Sequence, residues 1–201
     1  DWSSDVCSSD LTVSSIRIQR LAGIACLSAL AFVLMMLEFP IIPVAAYLKL
    51  DFSDVPVLLG TLIYGPVSGI IIAAVKCLIH ALVYGFSIGE LLGVGSDFIS
   101  SLALLLPFAW AAKRTSLKPA QRYLLGTGAG MLTLTVIMSL LNLWVLTPLY
   151  MKIWGWKPTM PIASLVAIGV VPFNIIKGLL VGGVSSLLAM RLANWLAKHQ
   201  M

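Results

Sequence analysis

The chain has 201 residues, 60% of them hydrophobic and 10% charged, with a formal charge of +5. Soluble domains average about 45–50% apolar and about 25% charged residues, so the composition excludes a soluble enzyme, a disordered tail and a free DNA-binding domain. At about 20 apolar residues per bilayer crossing, the length suits a polytopic helical bundle and leaves no room for a soluble catalytic domain.

Residues 1–11, DWSSDVCSSDL, carry neither a basic leader nor an apolar core. They are expected to be a non-native polar tail, with 12–201 forming a single integral membrane domain. The first apolar run, Leu21 to Phe39, follows Arg17 and Arg20 and stops at Pro40 and Pro43. Ile41 to Asp54 is too polar and proline-broken to lie in lipid and reads as a long ordered loop. Val55 to Tyr64 and Val67 to Tyr84 flank Gly65-Pro66. Val94 to Ala112, Leu124 to Leu146 and Ile162 to Leu196 follow. The last run exceeds one crossing and contains Pro172. It is therefore divided into a short surface helix before Val170 and a true span after it.

Charge decides how to count the middle segments. If 55–84 were one span, Lys113, Arg114, Lys118 and Arg122 would fall opposite Arg17 and Arg20, against the positive-inside rule. Two spans bring both clusters, with Arg191 and Lys198, to the cytoplasmic side, leaving Lys49, Lys152 and Lys157 outside. The expectation is an all-α membrane protein of six transmembrane helices with cytoplasmic termini. Its acids beyond the tail, Glu38, Asp51, Asp54, Glu90 and Asp97, scatter along the outer face. The positive charge thus reads as topology, not as a nucleic-acid surface.

No P-loop, nucleophile elbow, zinc-protease or EF-hand pattern occurs, and the 2 histidines, His80 and His199, are far apart. The 3 cysteines are widely separated, so neither a disulfide framework nor a metal site is expected. Polar side chains do gather at the outer ends of the apolar runs. Asn174 and Lys177, three apart, share a helix face, and a lysine at that depth is costly unless it faces the bundle, a ligand or the headgroups. Asn142 needs a partner, either across helices or on a ligand. Glu90 lies in a glycine-bearing loop after the third span. Donors and acceptors of this kind, with Tyr47, Trp144, Tyr150, Trp154 and Trp156 nearby, suit a neutral, flat heterocycle bearing hydroxyls. Lys76 and His80 also share a face, and a structural pairing serves them as well as a functional one, so they stay outside the site.

Tyr47-Leu-Lys-Leu-Asp-Phe-Ser-Asp-Val-Pro56, Tyr64-Gly-Pro-Val-Ser-Gly69, Gly89-Glu90, Asn142 with Thr147-Pro148-Leu-Tyr150, and Phe173-Asn174-Ile-Ile-Lys177-Gly178 together resemble the riboflavin-specific S-component of energy-coupling factor (ECF) transporters. The resemblance extends from about Leu21 to the C-terminus. It implies a bacterial cell-membrane subunit that captures riboflavin from outside beneath a first-loop lid, without catalysis or cofactor. It also implies a transmembrane coupling subunit and two cytoplasmic ABC ATPases as partners. On the matching positions, Asn142, Asn174 and Lys177 would bind the flavin, assisted by Glu90, Tyr47 and Leu48, and the Ala25-Cys-Leu-Ser-Ala29 face would dock the coupling subunit. The rivals are an S-component for thiamine or pantothenate and, from another class, a small membrane enzyme, which would need clustered carboxylates or histidines.

Overall fold

The computed structural model describes residues 2–42, 48–155 and 160–192, with side chains from Arg17 onward except that of 154. Helix α1 (Trp2–Met36) leads into a short antiparallel ladder, β1 (Phe39–Pro40) against β2 (Lys49–Leu50). Helices α2 (Asp54–Tyr64), α3 (Pro66–Tyr84), α4 (Ile88–Ala112) and α5 (Pro119–Leu141) follow. A π turn over Asn142–Leu146 carries α5 into α6 (Thr147–Trp154), and another over Val166–Val170 carries α7 (Ile162–Leu165) into α8 (Val171–Arg191).

Glycine and proline set the reversals. Gly65 and Gly85 take φ of 91° and 92°, a region that costs a residue with a Cβ. Each caps the preceding helix through its N–H, and Pro66 then opens α3, where its missing N–H has no helical acceptor to lose. The α2–α3 turn lies beside the basic end of α1: Arg20 Nη2 donates to Tyr64 O at 2.9 Å and Ser68 Oγ at 2.8 Å. The segment 55–84 is thus two separate helices divided at Gly65-Pro66.

Among the described residues, five stretches are long and apolar enough to cross a membrane: Arg17–Met36, Pro66–Tyr84, Ile88–Ala112, Pro119–Ile153 and Ile162–Arg191. Their outward faces carry exposed Leu78, Leu106, Leu132 and Leu179, side chains that lipid tails can solvate. The 11 residues of α2 rise about 16 Å at about 1.5 Å each, short of a hydrocarbon core of about 30 Å.

The backbone of the polar tail is helical and continuous with α1 from Trp2. Two expectations need correcting. Helix α4 starts at Ile88 rather than Val94, so Glu90 is no loop residue. Ser87 caps the helix by accepting from Glu90 N at 3.2 Å, and the Glu90 carboxylate complements the helix dipole in the first turn. Finally, Ile162–Arg191 is one continuous helical stretch, not a surface helix followed by a span. Pro172 does not break it because the π turn ahead widens the backbone where a proline ring would strike the carbonyl four residues back. Pro148 follows the other π turn in the same way.

Small residues close the bundle. A Cβ built on Gly178 would lie 2.8 Å from Met131 Cα, one on Gly182 2.7 Å from Thr127 Cγ2, and one on Gly130 3.2 Å from Leu104 O. Backbones therefore approach to contact where lipid supplies no hydrophobic drive for association. Thr127 and Ser186 hydroxyls add a 2.9 Å hydrogen bond between α5 and α8.

Candidate functional site

A cavity of about 260 Å³ lies at the end of the bundle where α1 finishes and α4 begins, remote from Arg20. Met35, Leu48, Met138, Leu146 and Phe173 supply apolar walls. Asn142, Tyr150, His80, Glu90, Asp51 and Asp97 supply polar ones. Glu38 and Lys49 also line it and form an ion pair with each other, tying the end of α1 to the β ladder.

Asn142 opens its π turn and is 0% exposed. Its Nδ2 donates to Met138 O at 2.8 Å, while its Oδ1 is buried and accepts no hydrogen bond. A buried carbonyl oxygen without a donor is costly, so this one is set to receive a donor from whatever fills the cavity. Across from it, His80 Nδ1 lies 2.7 Å from Glu90 Oε1 and its ring stacks on Tyr84.

Beneath the cavity lies a charge network that joins four segments of the chain. Lys76 Nζ on α3 donates to Ser53 Oγ and Asp54 Oδ1, both at 2.7 Å, and stands 3.1 Å from Asp97 Oδ2 on α4. Lys177 Nζ on α8 lies 3.3 Å from Asp54 Oδ2 and 3.5 Å from both Asp51 Oδ2 and Asp97 Oδ1. Ser53 N donates to Asp51 Oδ1 at 2.8 Å, fixing that carboxylate at the start of α2, and Ser101 Oγ donates to Asp54. Charges this deep persist only when paired and hydrogen-bonded on all sides.

The structure brings Asn142, Glu90 and Leu48 to the cavity wall. Lys177 sits one layer below, 4% exposed, against two carboxylates that do face the cavity. Asn174, 2% exposed, donates from Nδ2 to Val170 O at 2.8 Å and neighbours the lining Phe173. Tyr47 lies outside the described residues. Ala25 and Ala29 are both exposed on α1.

Two readings from sequence are overturned. The acids are not scattered: Asp51, Asp54 and Asp97 converge on Lys76 and Lys177. His80, set aside earlier, lines the cavity, whereas Lys76 stays outside it in a structural pairing with Asp54 and Asp97. The signal was present in Lys76 and Asp97, opposite charges each alone in an apolar run. An intramembrane charge implies a partner, although sequence does not say which.

A family model described as "ECF transporter, substrate-specific component" matches residues 19–190. The chain belongs to this family. This S component is 40% identical to the riboflavin transporter RibU of Staphylococcus aureus (strain TCH60), over 90% of its own length and 93% of the relative's. It is 35% identical to the riboflavin transporter FmnP of Bacillus subtilis (strain 168), over 92% and 97% of the two chains. A solved structure, "Structure and mechanism of the S component of a bacterial ECF transporter", superposes with a TM-score of 0.74 at 39% identity, covering 90% of this chain and 98% of that one. The S component is therefore a multi-pass membrane transport subunit and not an enzyme.

Proposed function

We propose that this S component captures riboflavin at the outer face of a bacterial cell membrane and delivers it inward through an ECF importer. The observation that carries the reading is the 40% identity to a riboflavin transporter over nine-tenths of both chains. The cavity's chemistry supports it: Met35, Leu48, Met138 and Phe173 suit a flat ring, and the unsatisfied Asn142 Oδ1 suits an imide N–H. In this reading Asn142, Glu90, Leu48 and Tyr47 contact the vitamin, and Asn174 and Lys177 serve it from the α8 side of the floor. Six crossings with cytoplasmic termini place the cavity outside, α2 crossing with help from its neighbours. A transmembrane coupling subunit docks on the Ala25 and Ala29 face, and two cytoplasmic ATPases drive release.

The test is titration of the purified protein by flavin fluorescence quenching. Saturable, stoichiometric quenching by riboflavin, not displaced by excess thiamine or pantothenate, is the expected result. No quenching, or displacement by either competitor, overturns the assignment.

A further inference from the structure

The charge network divides into groups that reach the cavity and groups that do not. Asp51 and Asp97 line it, whereas Asp54, Lys76 and Lys177 are 1%, 0% and 4% exposed and do not. Asp97 is held from behind on both oxygens: Oδ2 lies 3.1 Å from Lys76 Nζ and Oδ1 3.5 Å from Lys177 Nζ. Lys76 is itself fixed by Ser53 and Asp54, so it cannot follow Asp97 into the cavity. Oδ2 is also met by Cys77 Sγ at 3.7 Å, but Oδ1 faces one lysine at 3.5 Å and a carboxylate oxygen accepts two hydrogen bonds, so acceptor capacity remains on Oδ1. The buried, unpartnered Asn142 Oδ1 on the same cavity independently marks the space as one built for a donor-bearing ligand.

Resting on the riboflavin reading, we infer that Asp97 is a specificity-determining residue that accepts hydrogen bonds from the hydroxyls of the ligand's ribityl chain, with Lys76 as the positioning residue that aims it. Ring recognition belongs to the Asn142 side, and polyol recognition belongs to the ion-paired floor. The floor thereby distinguishes riboflavin from a flavin that lacks the sugar alcohol.

The probe pair is riboflavin and lumiflavin, which carries a methyl group in place of the ribityl chain. Asp97→Asn keeps the shape and removes the charge. It should weaken riboflavin by about 10- to 100-fold, the worth of one hydrogen bond to a charged group, and leave lumiflavin affinity within about twofold. Equal losses for both flavins, or no loss for either, overturn the inference. Adding Lys76→Met to Asp97→Asn removes one charge of each sign, and lumiflavin binding reports that the protein is folded. If Lys76 acts through Asp97, the riboflavin-to-lumiflavin affinity ratio of the double variant equals that of Asp97→Asn; a further fall in that ratio, or loss of lumiflavin binding, refutes the positioning role. Wild-type protein that binds neither flavin would instead remove the riboflavin reading itself. Wild-type binding with an unmoved ratio in Asp97→Asn removes only this one.

Discussion

Lys76 on α3 and Asp54 at the start of α2 meet at 2.7 Å, with their side chains 0% and 1% exposed. Removing one member of such a pair leaves a buried charge uncompensated, at a cost of about 3–5 kcal/mol. Lys76→Met should therefore lower the unfolding temperature in detergent sharply, and Lys76→Met with Asp54→Leu should recover at least half of the loss. A double variant as unstable as the single would show that Asp97, not Asp54, holds Lys76 in place.

Asn142 is placed to make the most ligand-sensitive contact. Asn142→Leu fills the same space but removes the unsatisfied Oδ1, so it should reduce riboflavin affinity by about tenfold or more with little change in stability. Asn174→Ala together with Lys177→Ala should abolish flavin binding while membrane insertion persists. Quenching titrations measure both, and unaltered affinity in either protein would remove those residues from the site.

Ala25 and Ala29 are exposed on α1 and distant from the cavity. Ala25→Trp and Ala29→Trp should leave riboflavin binding intact and block uptake by cells that express the coupling module. Normal uptake by both variants would move the docking surface elsewhere.

Two glycines separate packing from helix propensity. Gly178→Ala sets a Cβ 2.8 Å from the Met131 backbone and should destabilise by about 1–3 kcal/mol. Gly128→Ala on α5 meets nothing within 4 Å and should stabilise by about 0.5–1 kcal/mol. Thermal unfolding of the pair checks the sign, and a tolerated Gly178→Ala would contradict the close approach of α5 to α8.

Topology is open to impermeant thiol labelling of single cysteines in a cysteine-free background. Ser116→Cys, between α4 and α5, should react only after the membrane is opened, and Phe86→Cys, between α3 and α4, should react in intact cells. The reverse pattern would invert the proposed orientation.

The helical, membrane-spanning character was legible because lipid imposes long apolar runs and Gly-Pro punctuation, and the division at Gly65-Pro66 followed from charge. The continuity of 162–191 was not, because run length and Pro172 both suggest a break and nothing in the residues announces a π turn. In the site, Asn142 stood out as an amide in an apolar run. Its chemistry is local. Asp51, Asp54 and Asp97 did not stand out as a group, because what unites them is two lysines that tertiary packing delivers from α3 and α8. Charge clustering across helices has no periodicity in one sequence, so the carboxylates of the floor were invisible while Lys177 and part of the wall were plain.

The glycine contacts of α5 and α8 lie below the cavity, where Gly178 and Gly182 rest on Met131 and Thr127, and the apolar cavity walls come from larger side chains such as Met35, Met138 and Phe173. A keel of touching backbones tolerates almost no change, whereas the bowl above it can be recarved residue by residue. Such a division lets the shape of the bowl change without rebuilding the hull that carries it.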